Sequence, residues 1–329
     1  MTALEARHRL LSRRAALRLL GGGALGLAGA ALIGCGDDTA PEAALPATIE
    51  AATTSTPEAP PPSTPTPEPT PKPALAAGRS ERTLLTGTEW ETPLVVSHSG
   101  APGPRVLILG GVHGNEPGGW LAAEGVTSWE PEAGSLLVAP RANRIATYEF
   151  QRTLPELGDL NRLYPGRPDH ELPMGRMANA IVEVAREFEV DVVIDMHESW
   201  GFFLERAADG SQDGTAFLGQ TVTKGAGPLP LETVGFAVAA VNARITDREQ
   251  FTLRDRISRR DPVEFGRAPV FEELEAGGFR RGSSLSLGAY VPSATPILVE
   301  MGQRDQAESR RLELHQVFAR ELLERLGVL

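Results

Sequence analysis

A histidine and a glutamate stand three positions apart in Gly110-Gly-Val-His-Gly-Asn-Glu-Pro-Gly-Gly119, which holds five glycines and directly follows the apolar run Val106 to Leu109. A second histidine, His197, follows another apolar run, Val190 to Met196. Short apolar runs bounded by Gly and Pro read as buried strands, and ligand sites in α/β sheets gather beyond the carboxyl ends of the strands. His113 and His197 can therefore converge above one sheet. A sharply bent glycine-rich backbone lets Glu116 turn its carboxylate to the same point. Two imidazoles and one carboxylate make a catalytic zinc set, three protein ligands with a fourth position left to water. Each feature alone is weak, because His-x-x-Glu arises by chance and strand-end histidines commonly serve as hydrogen-bonded structural residues.

Glu300 closes the β-like run Pro296 to Val299. A carboxylate buried at such a place is costly unless it is paired, so a functional reason is preferred for it.

The elements that must position these residues alternate along the chain. Thr83 to Ser99 holds two short β-like runs around Gly87-Thr88-Glu89, the pattern of a hairpin. Val106 to Gly110 and Leu136 to Val138 read as buried strands, and Pro117 to Trp129 between them as a helix with proline in its first turn. Ala178, Ile181, Val182, Ala185 and Phe188 fall on one helical face leading into a strand from Val190 to Met196. Leu231 to Ile245 reads as a helix, Pro296 to Met301 as a strand, and Glu308 to Leu326 as an amphipathic closing helix. Segments 207–227 and most of 254–282 read as loop. This alternation predicts a three-layer α/β/α sandwich with a mixed, mostly parallel central sheet.

The first 77 residues have a different character. Ser12-Arg13-Arg14-Ala15-Ala16-Leu17-Arg18 resembles a twin-arginine export motif, and the apolar run Leu19 to Ile33 that follows is too short to cross roughly 30 Å of hydrocarbon comfortably. Leu32-Ile33-Gly34-Cys35 resembles a bacterial lipobox, in which Cys35 becomes the acylated first residue; a plain transmembrane anchor is the alternative. Residues 35–77 are rich in Pro, Thr, Ala and Glu and nearly devoid of large apolar side chains, the composition of an extended tether. The expected organisation is an export signal over 1–34, a lipidated tether over 35–77 and one large α/β domain over 78–329. The expected location is the outer face of the bacterial cytoplasmic membrane or the cell envelope, reached through the lipid anchor alone.

Charge narrows the partners. The chain carries 43 acidic and 32 basic side chains, and its first 34 residues hold five arginines against one glutamate. The mature chain is therefore strongly acidic, which excludes a nucleic-acid partner that would need a basic face. Cys35, the single cysteine, has no partner for an internal disulfide.

Further motifs carry a family resemblance. Gly-Gly-Val-His-Gly-Asn-Glu, Pro140-Arg141-Ala142-Asn143, Gly158-Asp-Leu-Asn-Arg-Leu-Tyr-Pro-Gly166 with an arginine before it, Asp195-Met196-His197 and Ile297-Leu298-Val299-Glu300 recur in order. Over about 200 residues the chain resembles the zinc carboxypeptidase superfamily, in its succinylglutamate desuccinylase and aspartoacylase branch. The resemblance implies His113, Glu116 and His197 as ligands of one zinc per chain, and Glu300 as general base toward water and general acid toward the leaving nitrogen. It implies Asp159 as the carboxylate orienting a ligand histidine, although a turn residue capping Asn161 or Arg162 is an equal reading. Arg152 would stabilise the oxyanion, with Arg144 its rival. Asn161 and Arg162 would hold the substrate's carboxylate, and Tyr290 would close a hydroxyl over the substrate or else simply pack between Leu287 and Val291.

The function implied is zinc-dependent hydrolysis of an amide bond in a small carboxylate-bearing substrate such as an N-acyl amino acid. Action on peptidoglycan or short peptides is the second reading, and a lipoprotein that binds without turnover is the third. The roughly 100 residues between His197 and Glu300 are longer than in compact deacylases and match no motif.

Overall fold

The computed structural model describes residues 75–205, 216–255 and 282–329; the expected export signal, most of the tether and Cys35 lie outside the described residues. All the described residues belong to one compact unit. Among them, no helix is long and apolar enough to cross a membrane.

An eight-stranded sheet runs through the domain. Its strands are β1 (Gly78–Leu84), β2 (Thr92–His98), β3 (Arg105–Leu109), β4 (Ser135–Ala139), β5 (Val192–Ser199), β6 (Thr221–Lys224), β7 (Thr252–Asp255) and β8 (Thr295–Gly302). They lie in the order β1-β2-β4-β3-β5-β8-β6-β7. The β3–β4, β3–β5, β5–β8 and β6–β7 pairs are parallel, and the β1–β2, β2–β4 and β6–β8 pairs antiparallel. The expected mixed, mostly parallel sheet is thus what the chain forms.

Both faces of the central strands are covered, which explains why β3 and β5 are buried along their whole length. The helices are α1 (Pro117–Val126), α2 (Arg144–Glu149), α3 (Pro173–Glu187), α4 (Leu231–Asn242) and α5 (Glu308–Arg325). Leu107, Leu109 and Val193 face a core built with Met177, Ile181 and Ala185 of α3. Val106, Ile108, Ile194 and Val299 face the opposite core, built with Ala122 of α1, Val238 of α4 and Phe318 of α5. The strand alternation thus divides the apolar residues into two layers, and the three-layer sandwich follows.

The edge beyond β8 differs from expectation. The loop-like segment 207–227 contains β6, and β7 opens the segment expected to be loop from Arg254. β6 reads Thr-Val-Thr-Lys and is buried throughout although only Val222 is apolar. Its strand conformation comes from pairing with β8 and β7 rather than from a local apolar signal.

Candidate active site

His113 and Glu116 lie on the turn that leaves the carboxyl end of β3. Gly111 in this turn takes a left-handed φ of 64°, a conformation that glycine reaches without strain. A Cβ on Gly114 would fall 1.9 Å from the carbonyl oxygen of Ala146 in α2, so the turn passes α2 only because that position has no side chain. The glycines therefore permit the sharp bend that brings His113 and Glu116 together. His197 comes from β5 itself, on the strand next to β3.

The three side chains are buried, and one candidate ligand atom from each lies within 4.8 Å of the others. His113 Nδ1 is 2.7 Å from Glu116 Oε1, and His197 Nδ1 is 2.8 Å from Glu116 Oε2. The two imidazole rings stand edge to face with centroids 4.7 Å apart. Each Nε2 is turned the other way, toward an aspartate: His113 to Asp159 at 3.1 Å and His197 to Asp195 at 2.9 Å. Carboxylates on the far nitrogens fix the tautomer and leave both Nδ1 atoms on the side of Glu116, the arrangement of a metal-binding histidine pair. This N, N, O donor set can hold a metal and suits zinc.

The electrostatics follow from burial and these contacts. Burial alone would raise the Glu116 carboxyl, but His113 and His197 outweigh it and hold the group far below its ordinary value. Burial would likewise lower His197, yet Asp195 and Glu116 push it well above its ordinary value. Asp159, where burial also opposes ionisation, is held at about 2 chiefly by His113. Asp159 Oδ1 additionally accepts the amide of Asn161. Asp159 therefore makes both the contact to His113 and the turn contact expected of it.

Glu300 sits beside His197 in the register of β5 and β8. Burial, with Glu116 adding to it, pushes the Glu300 carboxyl up to about 7, while His197 and the hydroxyl of Ser199 pull the other way. Ser199 Oγ donates to Glu300 Oε2 at 2.8 Å. A cavity of about 300 Å³ opens over these groups and is lined by Arg152, Asn161 and Arg162 as well.

Arg152 donates to Glu116 Oε1 at 3.2 Å and is half-exposed. Its rival Arg144 donates to the carbonyl of Glu89 and does not line the cavity. Asn161 Nδ2 is 3.5 Å from His197 Nε2, and its Oδ1 accepts the amide of Ser284. Tyr290 is not brought to the cavity. It is 5% exposed and belongs to the apolar cluster with Leu287 and Val291, which is the packing alternative for this residue.

Sequence reasoning gave no role to Asp195 or Ser199. The signal was present, because Asp195, His197 and Ser199 alternate along a strand and must share one face. It also missed Thr223 and Arg254, which line the cavity from β6 and β7.

Residues 102–200 match the family model described as the succinylglutamate desuccinylase/aspartoacylase catalytic domain. This bears out the resemblance carried by the motifs. No curated protein matches the chain significantly. Among solved structures, the chain is similar to the product-bound cell shape determinant protein Csd4 from Helicobacter pylori, with 20% identity, a TM-score of 0.52, and coverage of 69% of this chain and 52% of that one. The chain thus spans about half the length of Csd4, which in its mDAP-bound form is described as a D,L-carboxypeptidase. It is also similar to the product-bound ectoine utilization protein EutE (DoeB) from Ruegeria pomeroyi, again with 20% identity and a TM-score of 0.52, over 79% of this chain and 71% of that one. These likenesses show the zinc carboxypeptidase-like α/β fold.

Proposed function

We propose that the domain, whose residues 102–200 match the succinylglutamate desuccinylase/aspartoacylase catalytic-domain model, is a zinc-dependent hydrolase that cleaves an amide bond of a small carboxylate-bearing substrate, an N-acyl amino acid foremost. The observation that carries this reading is the convergence of His113, Glu116 and His197 beside Glu300 in one cavity with Arg162. One zinc ion per chain held by the three ligands would supply Lewis acidity and lower the pKa of a water toward about 7.

The chain's own residues account for the rest. Glu300, held near 7 by burial, is matched to neutral pH. It accepts a proton as water adds to the carbonyl and returns it to the leaving nitrogen as the C–N bond breaks. Arg152 donates to the developing oxyanion, where a well-aimed donor is worth roughly 3 to 4 kcal/mol of barrier. Asn161 and Arg162 hold the substrate's carboxylate, for which the planar guanidinium fork is suited.

The size of the cavity supports a small substrate, since about 300 Å³ is at the low end for ligand sites. A second reading, hydrolysis of a peptide, is favoured by the likeness to Csd4. Incubating the full-length protein with zinc and either N-acyl amino acids or muropeptides, and following amine release, separates the two. Tight binding of either class with no product would instead support the non-catalytic lipoprotein. Failure to bind zinc would remove all the hydrolytic readings.

The proposed location is the outer face of the cytoplasmic membrane, through acylation of Cys35 after twin-arginine export. Support comes from Arg13-Arg14 and the Leu32-Ile33-Gly34-Cys35 run. A Cys35→Ser chain that still partitions into detergent with the membrane fraction would count against the lipid anchor.

A further inference from the structure

Gln303 follows the last residue of β8, Gly302, which lies opposite Ser199 in the pairing of β8 with β5. Both hydrogens of its side-chain amide are in use. Nε2 donates to the carbonyl of Asn115 at 3.0 Å and to Glu198 Oε2 at 2.9 Å. The backbone amide of Gln303 donates to the carbonyl of Ser199 at 2.8 Å. Each of these acceptors adjoins a group of the site. Asn115 precedes Glu116 in the turn, Glu198 follows His197 on β5, and Ser199 carries the hydroxyl that donates to Glu300.

Glu116 is bonded to the same strand. Its Oε2 accepts the backbone amide of Glu198 at 2.9 Å as well as His197 Nδ1 at 2.8 Å. The direction of the carboxylate therefore depends on how the peptide between Asn115 and Glu116 sits against the end of β5. The local sequence does little to fix that peptide. The Glu116 side chain makes no capping bond to α1, and glycine-rich backbone has more conformations to lose than other sequence. Glu198, in contrast, is held from behind. A Cβ on Gly118 in the first turn of α1 would stand 2.1 Å from its Oε1, and Arg311 of α5 donates to that same oxygen at 2.8 Å. Gln303 thus fastens a pliable turn to a carboxylate that α1 and α5 keep in place.

We infer that Gln303 is a positioning residue for Glu116: by joining the Asn115 carbonyl to Glu198, it sets the Glu116 carboxylate against His197 and Glu300. This deepens the proposed hydrolase reading and rests on it for the identity of the bound ion. The amide is the fitting group, because one nitrogen has to serve two acceptors. A glutamate of the same shape would donate to neither and would set a second carboxylate against Glu198.

The test compares two variants of the full-length protein. Gln303→Met keeps the length of the side chain and removes both donated bonds. Gln316→Met is the matched control, since Gln316 of α5 donates to the carbonyl of Ala122 in α1 at 3.2 Å, a bond of the same kind away from the turn. In the metal-free protein, amide hydrogen exchange at Glu198 and Gly119, which donate to Glu116, should be about tenfold faster in Gln303→Met and within about twofold of wild type in Gln316→Met. The zinc Kd, read by chelator competition, should rise about tenfold or more in Gln303→Met and stay within about twofold in Gln316→Met. Gln303→Asn, which keeps the amide on a shorter stem, should move the Kd in the same direction as Gln303→Met. Unchanged exchange in Gln303→Met overturns the tie. Faster exchange with an unchanged Kd, or a Kd raised equally by Gln316→Met, overturns the positioning role. If the wild-type chain binds no zinc, the hydrolase reading falls, and the exchange comparison alone decides whether Gln303 holds the turn.

Discussion

The Nε2 atom of His197 lies 2.9 Å from Oδ2 of Asp195, two residues earlier on the same strand. Both side chains are almost completely buried. The contact turns Nδ1 toward Glu116 and makes the imidazole a stronger donor to a metal. Asp195→Asn keeps the shape and removes the charge. Its zinc Kd is expected to rise about 10- to 100-fold, measured by chelator competition, the usual cost of losing such a partner. An unchanged Kd would reduce Asp195 to a packing role.

In the proposed mechanism Glu300 handles protons and does not hold the metal. Glu300→Gln preserves size and one acceptor but cannot take up a proton. Turnover should fall by about 10²- to 10⁴-fold while zinc content stays at the wild-type value. A variant that keeps its rate would remove the mechanism, and one that loses zinc would place Glu300 among the ligands.

In the same proposed mechanism Ser199 would tune that proton transfer. Its hydroxyl donates to Glu300, which favours the charged carboxylate and opposes the upward push of burial. Without the hydroxyl the Glu300 pKa rises further. The ionised form is the base, so a higher pKa means less active enzyme at a given pH. In Ser199→Ala the acid limb of the kcat/KM profile is therefore expected to move to higher pH, with the rate recovered on the alkaline side. A limb that stays put or moves to lower pH contradicts the assignment.

The sheet and the His113–Glu116–His197 cluster were legible in the sequence for one reason: both depend on local patterns. β3 and β5 are apolar runs ending in His113 and His197, and the glycines before Glu116 announce a bend. The edge was not legible. Thr223 and Lys224 are buried because neighbouring strands cover them, and a polar tetrapeptide carries no trace of that. Tyr290 was open to two readings in the sequence, because a tyrosine near a site has the chemistry for a role there, and only the fold shows it buried in the cluster with Leu287 and Val291. Ser199 could have been placed by strand alternation with His197, but its bond to Glu300 required knowing that β5 and β8 are neighbours.

The last relationship ties α5 to the turn that carries His113 and Glu116. Glu198 Oε1 accepts from Arg311 Nε at 2.8 Å, and Gln303 Nε2 bonds both Glu198 Oε2 and the carbonyl of Asn115. The Glu198 side chain has no solvent exposure, and burial raises its carboxyl above the ordinary value despite Arg311. Removing one partner of such a pair leaves a buried charge without compensation. Arg311→Met is therefore expected to destabilise the domain by about 3 to 5 kcal/mol in urea unfolding. Glu198→Gln combined with Arg311→Met buries no charge and should recover part of that loss. If the double variant is no more stable than Arg311→Met alone, lost packing rather than the stranded carboxylate accounts for the cost.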